Sequence, residues 1–475
     1  MPRQTKIVAT LGPAVASLEG VRSLIEAGMD VARLNFSHGG HEVHRRFHDW
    51  IRTAAADVGR TVAIMQDIQG PKLRIGEFPG GVIDLKKDAE VDLVPDSGTG
   101  GPGHIPIGYE SLLSDVNPGD RVILADGLVS CEVVGRTDSA LRARVVVGGP
   151  LSDHKGVAFP DSSLSVGNIT PKDEADLALG RELGVDFVAA SFVRSGADVE
   201  AVAALAGDVP IIAKIELAQA LDNLDEILKV SFGVMVARGD LGVQLPLERL
   251  PLIQSDILKR SNTAGRVAVT ATEMLESMTH SPRPTRAEVT DVAHAVEGGT
   301  DAVMLSGETA VGDYPAQTVR AMARICETIE EGTLAGQTPV PFVVGENDVA
   351  SAVAQAATQI ARNIGARTIV AFTESGSTAR LISKYRPTQR VVAFTPNVTT
   401  RRRMALYWGI QPHAFERRDY TDDEMAAAAA ILQSEGVAVP GDYVVMVAGI
   451  PPNVQASTNM VKVHLIGQAP GSLGG

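Results

Sequence analysis

The chain is short of cysteine and of aromatic residues. Two cysteines, Cys131 and Cys326, in 475 residues give no disulfide framework, so a reducing, cytoplasmic setting is expected. Aromatics make up 4% of the chain against 44% hydrophobic residues, which leaves cores built from Val, Ile, Leu and Ala. No apolar run reaches the roughly 18–20 residues of a membrane span. The opening MPRQTKIVATLGP is too short and polar for a secretion signal. Long blocks of Lys or Arg are also missing and the net charge is −14, so neither nucleic acid nor membrane is an expected partner. Small anionic substrates stay open, because local cations can override the global sign.

What the chain does have is a rhythm of short β-branched runs, turns and helical stretches. The strand candidates are KIVAT (6–10), VARLNF (31–36), TVAIMQD (61–67), FVAASF (187–192), PIIAKIE (210–216), GVMVARGD (233–240), RVAVTATE (266–273) and AVMLSGE (302–308). Near-continuous apolar runs suit a parallel sheet covered on its faces. SLEGVRSLIEAG (17–28) reads as a helix capped by Ser17 and ended by Gly28. Eight such units predict an α/β fold, a (β/α)8 barrel of the TIM type, with an open doubly wound sheet as its rival. A stretch of about 120 residues separates the third strand from the fourth. Its Gly, Pro and Asp content and short alternating runs predict a small inserted β-barrel domain over 71–160. The barrel then takes 1–70 and 161–338. After a linker at 332–348, strands at 367–373, 390–396, 443–449 and 461–467 predict a C-terminal α/β domain over 339–475. The alanine run at 426–430 reads as helix.

Reactive groups of barrels sit at the C-terminal ends of the strands, and these ends are polar here. Lys214 and Glu216 lie two apart, so they face one side of their strand; the same spacing is read for Arg238 and Asp240. Glu216 and Asp240 on neighbouring strands could share one divalent cation, as Mg²⁺ is held beside phosphorylated substrates. A structural Lys–Glu ion pair is the plainer reading. The second strand ends in Arg33, Asn35, Ser37 and His38, and the third in Asp67, followed by Lys72 and Arg74. Arg33 and Arg74 suit phosphate by geometry, while Asn35, Ser37 and Asp67 are oxygen donors for a small hard cation. Later strands contribute Ser191, Arg194, Thr272, Ser306 and Glu308. His38 fits a helix-capping or core role equally well.

TKIVATLGP, RLNFSHG, QDIQGPKLR, ASFVR, AKIE, VMVARGDLG, ATEMLESM, PRPTRAEVTDVAHAV and MLSGETAVGDYP follow one another as in pyruvate kinases, and the chain resembles that family over essentially its whole length. The resemblance implies phosphoryl transfer from phosphoenolpyruvate to ADP, giving pyruvate and ATP. It implies Mg²⁺, with Mn²⁺ as a substitute, on Glu216 and Asp240. It assigns the phosphoryl group and the enolate to Lys214 and Arg33. It assigns the substrate carboxylate to Gly239, Asp240 and Thr272, with Ser191 beside them. ADP falls to Arg74 and Lys155, near Asn35 and His38, and a proton path to Thr272 and Ser306. Arg238 pairs with neighbouring carboxylates, and a homotetramer is implied. The alternatives are a Mg²⁺-enolate lyase on a related barrel and an inactive regulatory paralogue.

Three departures from the family pattern matter. Lys72 stands where many members carry an acidic residue, and Ile68 and Gln69 where they carry Thr and Lys. This resembles the K⁺-independent branch: an ammonium replaces a monovalent cation near Asn35, Ser37 and Asp67. Glu273 stands for the usual Gln and is expected to point away from the site. In TESGST (373–378), the residues Thr373, Ser375, Gly376, Ser377 and Thr378 precede a helix and could cradle a phosphate. Family members bind a phosphorylated effector at this loop, but Ser377 replaces a frequent cation.

Overall fold

The computed structural model describes residues 3–333, 348–418, 420–450 and 458–467. Most of the expected linker, 334–347, lies outside these. Eight parallel strands close a barrel: Lys6–Thr10, Val31–Asn35, Ala63–Asp67, Phe187–Ala190, Ile211–Ile215, Gly233–Ala237, Val267–Ala271 and Ala302–Leu305. Each pairs with the next in sequence, and the first pairs with the eighth. The runs are apolar throughout because both faces are buried. Val8, Met65, Ile212 and Met235 fill the interior, while their neighbours Ile7, Ile64, Ile211 and Val234 meet the helices outside. The sixth and seventh strands approach so closely at Gly233 that any Cβ there would collide with the Val267 carbonyl. The helix Leu18–Ala27 is capped as its sequence suggests, with Ser17 Oγ accepting from Gly20 N.

The sixth strand stops at Ala237, three residues short of the expected end. Arg238–Gln244 is a helix. The eighth strand likewise gives way to a short helix, Gly307–Ala310.

Between the third and fourth barrel strands lies a β-rich insert with its own core of Leu93, Ile105, Val122, Leu141 and Val145. It holds one six-stranded sheet and a further pair, Val82–Leu85 with Gly149–Ser152. Gly148 accounts for the break: it lies against the Leu85 carbonyl where a Cβ has no room, and the chain leaves the larger sheet there.

The C-terminal part carries a five-stranded sheet in the order Ile410–Ala414, Arg390–Thr395, Thr368–Phe372, Tyr443–Gly449, Thr458–Leu465. Only the last strand is antiparallel. Ile410–Ala414 was not expected; as an edge strand it tolerates Pro412. The alanine run lies in the helix Thr421–Ser434.

This domain docks on the barrel floor, away from the C-terminal ends of the strands. Lys6 Nζ donates to Ile410 O at 2.8 Å. Asp301, one residue before the eighth strand, meets Lys384 Nζ at 2.6 Å and Arg386 Nη2 at 3.0 Å. Arg386 also stacks 4.7 Å from the centre of the Trp408 ring.

Candidate active site

The strand ends gather a compact charge cluster. Asp67, at the end of the third strand, is buried and accepts from Arg33 Nε at 2.7 Å. Arg33 Nη1 also donates to Thr10 Oγ1 at 2.9 Å. The second oxygen of Asp67 lies 3.3 Å from Lys214 Nζ and 3.4 Å from Ser191 Oγ. Lys214 donates to Ser191 Oγ at 2.7 Å and lies 2.7 Å from Glu216 Oε1. Two cations and two carboxylates therefore share one water-poor site. Burial works against the Lys214 ammonium, but Asp67 and Glu216 outweigh it and hold its pKa above the ordinary lysine value. Burial also opposes the charge on Asp67, yet Arg33 and Lys214 hold its carboxyl below the usual range.

Glu216 shares one side with Lys214, as the spacing predicts. Its Oε2 accepts from Phe192 N at 2.7 Å, while Oε1 is buried with no hydrogen bond of good geometry. Burial pushes the Glu216 carboxyl up; Lys214 pulls it back, and the charge of Asp240 adds to the rise. Both carboxylates line a cleft between barrel and insert, together with Lys72, Asp126, Phe192 and Arg194. Two carboxylates lining one cleft, one of them with an oxygen held only by the Lys214 ion pair, fit a hard divalent cation. Among the described residues no group of three or more His, Cys, Asp or Glu forms a metal cage. The pair would thus share the ion with water and substrate oxygens.

Arg238 does not face the side that Asp240 faces. With the backbone already helical, residues two apart point roughly 200° apart. Arg238 turns back to Asp291 at 2.6 Å and to the carbonyls of Ala271 at 3.2 Å and Thr272 at 2.7 Å. It holds the seventh-strand loop, while Asp240 faces the cleft. Thr272 Oγ1 accepts from Gly239 N at 2.8 Å, bringing those two residues together. Phe192, Thr272 and Glu273 all sit at positive φ, of 55°, 66° and 53°. Such strain at non-glycine residues concentrates at working sites. Glu273 is exposed, away from Thr272's contact with Gly239.

Lys72 takes a different partner from the one expected. Its ammonium lies 3.3 Å from Asp240 Oδ1, whereas Asp67 is engaged by Arg33 and Lys214. Asn35 Oδ1 accepts from Ser37 N at 3.1 Å, closing a turn at the strand end. Lys72 follows the third strand in an irregular segment, so nothing local set its direction. Arg74 and Lys155 are neighbours at the insert hinge: Ile75 N donates to Lys155 O at 3.0 Å, and Arg74 Nη1 to His154 O at 2.9 Å. His38 is exposed, and its carbonyl contacts His44 Nε2 at 3.1 Å. Ser306 N donates to the buried Glu308 at 2.6 Å, and Ser306 Oγ is buried without a partner.

The loop at 373–378 is only partly open. Thr373 Oγ1 accepts from Gly376 N at 2.9 Å, and Thr378 Oγ1 lies 2.6 Å from Thr458 Oγ1, both buried. Ser375 is exposed and donates to the half-buried Ser377 Oγ at 3.1 Å. Thr10, Asp291 and the Phe192 amide were missed as site residues. Only Thr10 carried a signal, as the polar end of a barrel strand.

Comparison with known proteins agrees with this geometry. The model of the pyruvate kinase barrel domain matches residues 2–319, and that of the pyruvate kinase alpha/beta domain matches 351–464. Pyruvate kinases of Staphylococcus saprophyticus and Geobacillus stearothermophilus are each 42% identical over 477 aligned residues, covering 98% of this chain and 81% of theirs. A pyruvate kinase structure from Cryptosporidium parvum superposes with a TM-score of 0.91 at 36% identity, over 98% of this chain and 96% of that one. Neither the lyase nor the silent paralogue is favoured by these matches. Both halves of the chain match in order, and the barrel mouth gathers two cations beside a pair of carboxylates: the chain belongs to the pyruvate kinase family, whose members are phosphotransferases.

Proposed function

We propose that the chain transfers the phosphoryl group of phosphoenolpyruvate to ADP, with Mg²⁺ (or Mn²⁺) and without a requirement for K⁺. The observation that carries this reading is the Arg33–Asp67–Lys214–Glu216 cluster, balanced in charge and open to the cleft at Asp240. Phosphoryl transfer needs alignment and neutralised charge more than covalent help. Arg33 and Lys214 bind the phosphoryl group, and Asp67 keeps both in place. Gly239 N and Thr272 Oγ1, with Ser191 beside Lys214, orient the substrate's carboxylate end. Glu216 and Asp240 would hold Mg²⁺, which supplies charge neutralisation at the transferring oxygens. Arg74 and Lys155 reach the ADP phosphates from the hinge, with Asn35 and His38 at the edge. Lys214 stabilises the enolate, and Thr272 with Ser306 form the path for its proton.

The division proposed is a barrel over 1–70 and 161–338, a lid over 71–160 that excludes water on closing, and a regulatory domain over 339–475. A homotetramer in the cytoplasm, with a phosphorylated effector at Ser375 and Ser377, completes the reading. Among the described residues no helix is long and apolar enough to cross a membrane. For K⁺, the support is the Lys72 ammonium, a fixed cation at the cleft beside Asp240. The test is pyruvate formation from phosphoenolpyruvate and ADP with Mg²⁺ in Tris buffer, first without K⁺ and then with it. Turnover in both supports the reaction and the role of Lys72 together. Turnover only with K⁺ removes the role of Lys72, and none in either buffer overturns the reaction.

A further inference from the structure

A cavity of about 280 Å³ lies where the barrel floor meets the C-terminal domain, far from any residue the reaction uses. Four arginines line it. Arg52 comes from the helix His41–Val58 and Arg60 from the turn after it; Arg401 and Arg402 come from the helix Val398–Arg403. Ala55, Ala56 and Val62 add a small apolar wall, and Thr61 a hydroxyl.

The charges here do not cancel. Arg52 meets Asp186 at 2.9 Å. Arg60 meets Asp30 at 3.2 Å, but Asp30 is shared with Arg3 at 2.8 Å. Among the described residues, no carboxylate comes within ion-pair distance of Arg401 or Arg402. Arg401 Nε is buried with no hydrogen-bond partner. Burial and the charges of Arg52 and Arg401 pull the Arg402 guanidinium below its ordinary pKa, with Asp186 opposing. Half-buried like charges are costly unless something of opposite sign pairs with them. Planar guanidinium forks converging on one space match the oxygens of a phosphate.

We propose that this cavity is a second anion site, taking the phosphate monoester dianion of a small metabolite and separate from the 373–378 loop. Two unpaired guanidinium groups set the charge of the ligand at two. The volume is near the lower end of ligand pockets, roughly 300–1,000 Å³, so a short carbon body fits beside the phosphate and meets the Ala55–Ala56–Val62 wall. The site spans two domains. The helix Val398–Arg403 already touches the barrel through Arg403 Nη2, which donates to Asp208 O at 2.9 Å. It also holds the loop through Thr400 Oγ1, which donates to Glu374 O at 2.8 Å. An anion bridging Arg52 and Arg60 to Arg401 and Arg402 therefore fixes the C-terminal domain against the barrel floor.

The test uses the full chain with two probes, inorganic phosphate and glycerol 3-phosphate. Arginine modification by phenylglyoxal is mapped by mass spectrometry, and binding is measured by calorimetry. Both probes are expected to slow modification of Arg401 and Arg402 in the wild type. The pair Arg401→Gln with Arg402→Gln is expected to weaken binding of glycerol 3-phosphate by about tenfold or more, a loss of ~1.4 kcal/mol. Ser377→Ala is expected to leave that binding in place. Tighter binding of the ester assigns a metabolite, and equal binding assigns free phosphate as the source of the same dianion. No protection of Arg401 and Arg402 by either probe overturns the proposal, as does binding lost with Ser377→Ala but kept in the arginine variant. If the arginine variant does not fold, protection in the wild type decides alone.

Discussion

Lys384 offers a quantitative test of how the barrel floor holds the C-terminal domain. Its ammonium side chain is 1% exposed, 2.6 Å from Asp301 and 3.2 Å from Asn262 Oδ1. One carboxylate faces two cations there, since Arg386 takes the other Asp301 oxygen. Burial wins over the pull of Asp301 and brings Lys384 down to about 8 from an ordinary 10.5. The folded state therefore sheds this proton first. Between those two values the unfolded chain binds one proton more, so the Lys384 contribution to stability rises with pH across that window. The whole window spans about 2.5 pH units, or ~3 kcal/mol. The substitution Lys384→Met removes both the burial cost and the slope, and Asp301 keeps Arg386 and the Ala268 amide at 2.8 Å. Moving from about pH 7 to about pH 9.5 crosses about 1.5 units of the window, so the wild type should gain ~2 kcal/mol on the variant. Lys6, also buried and lowered to about 8, titrates alike in both proteins and cancels. Thermal unfolding of the two proteins by calorimetry at both pH values gives the difference in Tm directly. An unchanged gap, or one that moves in favour of the variant, refutes the argument.

Asp67→Asn keeps the side-chain shape but leaves Arg33 and Lys214 facing a neutral amide. A stability loss of ~3–5 kcal/mol is expected from the broken buried pair, with a fall in kcat/KM of about 100-fold or more. Wild-type turnover in this variant would mean that other contacts position the two cations. Lys72→Gln should lower the rate in K⁺-free buffer more than the rate with K⁺ present, read by the same pyruvate assay; equal losses would assign Lys72 to Asp240 alone. Gly233→Ala drives a Cβ into the Val267 carbonyl on the adjoining strand, a backbone atom that cannot swing away. A cost of ~1–3 kcal/mol is expected in thermal unfolding, and an unchanged Tm would show that the barrel can splay there.

What the sequence discloses depends on whether one element fixes the direction of the residues concerned. Barrel strands announce themselves because both faces are buried, so Ile7, Ile64 and Ile212 fall in unbroken apolar runs. Ile410–Ala414 does not, because it pairs on one side only and its Gln411, Pro412 and His413 are half-buried. Lys214 and Glu216 meet because an extended backbone returns to the same side after two residues. The same spacing misleads at Arg238 and Asp240, where the chain has already turned into a helix. No pattern inside 233–246 marks that switch; Arg238 is held in it by Asp291, fifty-three residues later. Lys72 and the four arginines of the floor cavity fail for a further reason. Arg52 and Arg402 each look like an ordinary solvated helix face, since their meeting depends on how two domains dock. A surplus of charge is a property of the assembled space, and it is visible only when the carboxylates that could cancel it, Asp30 and Asp186, are seen to be occupied by Arg3, Arg60 and Arg52.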